Sequence, residues 1–221
     1  MKTILIPTDF SPAASNAARY IAEFTGYTDT SRIILYHSYK REHPDVIFLT
    51  DVLVPLASEI EETKTKAVQN LTALKTTLAA ILRTGISIEY RTDDRPLTQA
   101  INEISEQEDV DVVAIGIKKI MGIHPFQIMR ECDRSLLIIP ETTVFKGLNK
   151  SMLACDLSHI AQRLPASELK DFLKTSLSKL YVVNVELNEP KDAAKILQEE
   201  KVQQWQTPVR TRTRSCRRDS A

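Results

Sequence analysis

Five short apolar runs, separated by stretches with helical periodicity, constrain the fold of this chain more than any other feature. The first run is TILIPTD at residues 3–9, and Ser11 follows it as a good N-cap for the alanine-rich segment behind. The other runs are RIILYHSY, ISIEYRTD, VDVVAIGI and SLLIIP. This alternation predicts an α/β fold, a doubly wound five-stranded parallel sheet with helices on both faces.

Helix boundaries follow from capping residues. Gly26 is expected to close the first helix, and Gly85 follows a long second helix. We expect Asp94 to cap a third helix just before Pro96. A fourth helix is predicted around residues 124–131, before the last strand.

The carboxyl ends of the predicted strands carry the polar residues. Right-handed crossovers place these ends along one edge of the sheet, where open α/β sheets bind their ligands. The residues expected at that edge are Thr8, Asp9, His37, Ser38, Asp93, Asp94 and Gly116.

Composition argues against several classes of protein. The formal net charge is zero, which gives no general attraction to nucleic acid or membranes. The three cysteines form no CxxC pair, so neither a zinc site nor a disulfide framework is indicated. No apolar run is long enough for a signal peptide or a membrane span. We therefore expect a cytoplasmic protein without a metal site, a nucleic-acid partner or a membrane partner.

An internal repeat follows the fifth strand. The segment NKSMLACDLS at 149–158 echoes the N-terminus, with Asp156 matching Asp9 at an offset of 147 residues. The same offset carries IILYHSY onto LYVVNVE at 180–186. The repeat predicts a first domain over 1–145 and a partial second copy over 149–206.

The last residues, 207–221, have a different character. They contain five arginines and no apolar periodicity, which predicts a disordered basic tail. A truncation or a change of reading frame explains such a tail better than a nucleic-acid arm.

The segments ILIPTDFSPAASNAARYIAEF, RIILYHSY and DVDVVAIGI resemble the universal stress protein family, in its tandem form with a truncated second domain. The resemblance implies an adenine nucleotide alpha hydrolase-like fold and a homodimer, often formed through the last strand. It also implies a regulatory or protective protein that acts by binding an unknown protein partner, not as an enzyme.

One branch of that family binds ATP, and its site transfers to this chain residue by residue. The resemblance implies that Asp9 helps to hold the nucleoside and that Ser38 lies near the base. A phosphate loop would begin at Gly116 and close at Gly122. The candidate nucleotide-binding residues are therefore Pro7, Thr8, Asp9, Ser38, Gly116 and Gly122.

The phosphate loop departs from the ATP-binding pattern. Lys119 stands where a second glycine is expected, Ile123 replaces a hydroxyl residue, and the loop is short. Bulky side chains obstruct a cradle of backbone N–H groups. We therefore predict an impaired triphosphate site, which leaves weak binding of ATP or adenosine as the alternative function.

Other interpretations concern single residues. Asp9 is either an adenosine contact or a cap on the first helix. His37 is expected to be a satisfied histidine at a strand end rather than a catalytic base. A phosphoacceptor receiver domain does not fit, because Asp9 lacks an acidic neighbour and the segment LLIIPETT at the fifth strand contains no lysine. The apolar segment 46–56 is expected to pack on the protein's own helices.

Overall fold

The computed structural model describes residues 2–39, 57–118, 128–154 and 179–183. The chain divides into two compact units, Met1–Phe145 and Lys146–Ala221. The elements of the first unit are β1 (Thr3–Pro7), α1 (Pro12–Phe24), β2 (Arg32–Ser38), α2 (Ala57–Ala79), β3 (Ser87–Asp93), α3 (Leu97–Gln107), β4 (Val112–Ile117) and β5 (Ser135–Pro140).

These five strands form one sheet in the order β3-β2-β1-β4-β5, and every neighbouring pair is parallel. The central strand β1 is buried along its whole length because its apolar side chains point into both faces of the sheet. The predicted five-stranded parallel sheet is confirmed.

Helices cover both faces of the sheet. On one face, α3 packs Ile101 and Ile104 against Leu5 of β1 and Val113 of β4. Alternate residues of a strand point to opposite faces, and α1 lies over Gly116, on the face opposite to Val113. Helix α1 buries a stripe of small residues, which lets its backbone approach the sheet closely.

Helix α1 begins as predicted. Ser11 is its N-cap, with the Ser11 hydroxyl accepting the backbone N–H of Ala14, and Pro12 occupies the first helical position. Gly26 directly follows the C-cap Thr25, where a closing glycine was predicted, but it lies in a 3₁₀ turn and does not adopt the left-handed conformation of a glycine cap.

Helix α3 does not begin as predicted. Its N-cap is Pro96, and no side chain caps it. Asp94 is exposed, whereas the carboxylate of Asp93 accepts the backbone N–H of Arg95 at 3.0 Å. The N–H of Arg95 is therefore bonded by the aspartate that ends β3, and the capping role predicted for Asp94 is wrong.

The chain after β5 holds α1 in place. The Phe145 ring makes edge-to-face contacts with Tyr20 and Tyr27, with centroids 5.1 and 5.2 Å apart. The Asn16 amide donates to the Pro140 carbonyl at 3.2 Å. These contacts fix α1 against the β5 side of the sheet.

The described part of the second unit is a parallel pair of strands, β6 (Lys150–Ala154) and β7 (Lys179–Val183). Its register matches the first unit. Thr3 pairs with Arg32 in β1 and β2, and 147 residues further on Lys150 pairs with Lys179. The predicted helix between the two strands and the tail at 207–221 lie outside the described residues.

Among the helices that the structure describes, none combines the length and the apolar character required to cross a membrane.

Candidate functional site

The strand order places a topological switch point at β1. The chain proceeds from β1 to β2 and β3 on one side, and β4 and β5 lie on the other. In open α/β sheets, ligands bind in the crevice outside the carboxyl ends of the two strands at this point. Here those ends are Pro7 of β1 and Ile117 of β4. The sheet topology therefore indicates the same edge as the sequence.

The turn from β1 into α1 satisfies its backbone donors with its own side chains. Thr8 Oγ1 accepts the N–H of Phe10 at 3.0 Å, and Asp9 Oδ1 accepts the N–H of Ser11 at 2.9 Å. The Ser11 hydroxyl accepts the N–H of Ala14 at 3.3 Å. These side-chain bonds fix the turn in one conformation and use donors that an anion would otherwise take.

Phe10 lies in an unusual backbone conformation. Its φ of 62° is in the left-handed region, which costs a non-glycine residue roughly 1–2 kcal/mol. The Phe10 ring lies on the ring of His37, with centroids 4.5 Å apart. The ring contact and the Thr8 hydrogen bond hold this conformation at the edge where β1 ends.

His37 is held from two sides. Its Nδ1 lies 2.7 Å from the carbonyl oxygen of Thr8, and its own carbonyl accepts the Thr92 hydroxyl at 2.8 Å. A carbonyl can only accept, so Nδ1 carries the proton of the neutral ring and Nε2 carries a lone pair. The expectation of a satisfied histidine at a strand end is confirmed for Nδ1.

A polar cluster surrounds Ser38 at the ends of β2 and β3. The Ser38 hydroxyl donates to the carbonyl of Arg95 at 2.7 Å. Buried Tyr36 donates its hydroxyl to Asp93 Oδ1 at 2.8 Å, and Arg95 Nε donates to Asp93 Oδ2 at 3.0 Å. Arg95 also forms an ion pair with Glu103 on α3. The cluster ties the β3–α3 turn to β2.

The ionisation of this cluster follows its contacts. Burial and then the hydrogen bond to Asp93 raise the pKa of Tyr36. Burial alone would raise the pKa of Asp93, but hydrogen bonds from Arg95 and Tyr36 outweigh it and leave that pKa below its usual value. The Asp93 carboxylate is therefore ionised at neutral pH, and it compensates the charge of Arg95.

Gly116 fills a packing role. A Cβ built on Gly116 would lie 2.2 Å from the carbonyl oxygen of Ala13 and 2.8 Å from the backbone nitrogen of Ala14. Real Cβ atoms do not approach backbone atoms so closely, so only glycine lets the first turn of α1 sit on β4. The structure gives this residue a reason to be glycine that requires no phosphate.

The structure brings most of the candidate nucleotide residues to one edge. Pro7 and Thr8 are buried, Asp9 is exposed, and Ser38 is half-buried. Gly122, Lys119 and Ile123 lie outside the described residues, so the path of the predicted phosphate loop stays a prediction.

Sequence patterns missed two features of this edge. Nothing in the sequence signals the backbone conformation of Phe10, because aromatic residues rarely adopt it. The sequence places Asp93 at this edge, but its hydrogen bond from Tyr36 joins residues far apart in the chain and leaves no local pattern. Within residues 2–39, 57–118, 128–154 and 179–183, no group of three metal-ligating side chains comes together.

Comparison with known proteins agrees with the family resemblance seen in the sequence. The family model described as the universal stress protein family matches residues 1–140, more than half of the chain. No curated protein sequence gives a significant match.

Two of the solved structures similar to this chain are described as universal stress proteins, and the first of them shows the likeness in fold. A universal stress protein from Archaeoglobus fulgidus is 19% identical, with a TM-score of 0.74 and coverage of 97% of this chain and 79% of that one. A universal stress protein family member from Arabidopsis thaliana, solved with AMP bound, is 12% identical, with a TM-score of 0.46 and coverage of 63% and 92%.

The sheet order, the capped turn after β1 and the match over residues 1–140 agree, and the chain belongs to the universal stress protein family.

Proposed function

We propose that this chain is a regulatory or protective universal stress protein that acts by binding and dimerisation, not by turnover, with an impaired ATP phosphate loop. The observation that supports it best is the packing of Gly116 against the backbone of Ala13. The glycine that would open a phosphate loop is required by the contact between α1 and β4. We place the protein in the cytoplasm, where the thiol of Cys132 stays reduced.

The rest of the phosphate loop enters this proposal through its sequence alone. Lys119 and Ile123 occupy positions where the ATP-binding branch has glycine and a hydroxyl residue. An isoleucine has no hydroxyl to donate to a phosphate oxygen. Both substitutions weaken the binding of a triphosphate.

The dimer is proposed to form through β5. This strand is at the edge of the sheet, bonded to β4 on one side, and its residues Leu136, Leu137 and Ile138 are half-buried within the first unit. An apolar edge strand offers unpaired backbone groups to a second strand. A second copy of the same strand would cover both the backbone and the apolar side chains.

We expect the chain to have twice its monomer mass in multi-angle light scattering at micromolar concentration. Leu137→Lys is expected to raise the dimer dissociation constant at least about tenfold, because a charge in the core of an apolar interface is costly. Sedimentation velocity over a dilution series measures that constant.

Val144→Lys is the matched control, since Val144 is exposed and lies beyond the strand. Circular dichroism establishes that both variants fold. A monomeric wild-type chain, or equal weakening by both variants, would contradict a dimer through β5.

A second candidate function is weak binding of ATP or adenosine at the β1–β4 switch point. The observation that favours it is the convergence of Thr8, Asp9 and Ser38 at the edge where open α/β sheets bind ligands. Pro7 and Gly116 lie at the same edge, and Gly122 is included from its sequence position. In this function Asp9 holds the nucleoside and Ser38 lies near the base.

We also propose that residues 149–206 are a partial second domain of the same type. The shared register of the two strand pairs, displaced by 147 residues, supports this proposal.

A further inference from the structure

Within the described residues, the turn from β1 into α1 presents side-chain acceptors and has most of its N–H donors occupied. The N–H groups of Phe10, Ser11 and Ala14 are bonded to side chains of the same turn, and Pro12 has no N–H. An anion needs several free N–H groups that converge on one point. Three N–H groups of this turn are therefore already occupied, which leaves a phosphate few donors there besides the helix dipole.

Two acceptor atoms at this edge have no partner among the described residues. Asp9 uses Oδ1 for the Ser11 N–H and leaves Oδ2 free, and His37 uses Nδ1 for the Thr8 carbonyl and leaves Nε2 free. Both residues are attached to Thr8. Asp9 follows it in the chain, and His37 is hydrogen-bonded to its carbonyl oxygen. A ligand that satisfies these atoms must carry donors, such as hydroxyl or amino groups.

The negative charge of Asp9 at this edge also disfavours an anionic ligand. The Asp9 carboxylate is exposed and forms no ion pair with a described residue. The guanidinium of Arg95, the cation on the β3–α3 turn, is held by Asp93 and Glu103. Lys118 follows the end of β4 and is exposed, as Asp9 is, so water screens the attraction of the lysine for an anion and the repulsion by the aspartate alike. Each phosphate added to a ligand beside Asp9 adds repulsion.

From these contacts we infer that the switch-point site selects an uncharged nucleoside over its phosphorylated forms. This inference rests on the second candidate function and defines the ligand class for it. The ribose hydroxyls and the exocyclic amine supply the donors that Asp9 Oδ2 and His37 Nε2 accept. The self-capped turn and the Asp9 charge discriminate against phosphate.

Isothermal titration with adenosine, AMP and ATP, each with and without Mg²⁺, tests the inference on the full chain. Adenosine is expected to bind at least about tenfold more tightly than ATP, with AMP in between, which corresponds to about 1.4 kcal/mol. ATP that binds as tightly as adenosine in either buffer would overturn the selectivity. Failure of all three ligands to bind would overturn the nucleoside site itself.

Two variants separate charge from acceptor chemistry. Asp9→Asn keeps an oxygen for the Ser11 N–H and removes the negative charge, so the adenosine-to-ATP affinity ratio is expected to fall at least about fivefold. His37→Asn keeps a donor near the Thr8 carbonyl and removes the Nε2 acceptor, so both ligands are expected to weaken by a similar factor. Thermal unfolding of each variant shows whether it is folded. An unchanged ratio in folded Asp9→Asn would overturn the role of the charge.

Discussion

Gly116→Ala is expected to destabilise the first unit by about 3 kcal/mol or more, at or beyond the upper end of the usual cost of overpacking. The added Cβ would lie 2.2 Å from the Ala13 carbonyl oxygen and 2.5 Å from its carbon. These are backbone atoms of a helix, and they cannot turn aside as a flexible side chain would. Either α1 moves away from β4 or the unit fails to fold. Urea denaturation followed by circular dichroism measures the loss.

Gly26→Ala is the matched control. A Cβ on Gly26 meets no atom within 4 Å, and its φ is outside the left-handed region. Alanine there is expected to stabilise by about 0.4–1 kcal/mol, through the lower entropy of the unfolded chain. If both variants changed stability by similar amounts, the close approach of α1 to β4 would be wrong.

Asp93→Ala is expected to cost about 2–4 kcal/mol, because it removes the acceptor of the buried Tyr36 hydroxyl and a partner of Arg95. Asp94→Ala changes the neighbouring, exposed carboxylate and is expected to stay within about 0.5 kcal/mol of wild type. If urea denaturation gave equal losses of stability for these two substitutions, the role of Asp93 in holding Tyr36 and Arg95 would be wrong.

The same cluster predicts a dependence on pH. The folded pKa of Asp93 lies below its unfolded value, so its contribution is fully present above the unfolded pKa and is lost as the pH falls through the folded pKa. The difference in stability between wild type and Asp93→Ala is therefore expected to narrow as the pH falls below about 4, the usual pKa of an aspartate. Tyr36→Phe with Asp93→Ala completes a double-mutant cycle, in which the double variant loses less than the sum of the single variants.

The sequence predicts the layout of the sheet because the signal for it is local. Each apolar run became a strand, and Ser11 capped α1 through contacts within four residues of itself. Nearest-neighbour chemistry of this kind is readable from residue types alone.

Tertiary contacts account for what the sequence does not predict. The need for glycine at residue 116 arises from Ala13, which is distant in the chain, and a sequence pattern cannot distinguish it from a loop signal. Asp94 was expected to cap α3, but Asp93, bonded to Tyr36 of another strand, takes the N–H of Arg95. For the candidate site, the sequence predicts which residues lie at the edge of the sheet. It does not predict which of their hydrogen-bond donors and acceptors are already paired.

The contact between Gly116 and α1 has a consequence for evolution within such folds. Selection for folding alone would retain this glycine after a bound ligand had been lost, because any side chain separates the helix from the strand. The presence of this glycine in a related protein is therefore evidence of the shared fold and not of a shared ligand. Whether an ancestor bound a ligand must be judged from neighbouring positions, where packing does not dictate the residue type.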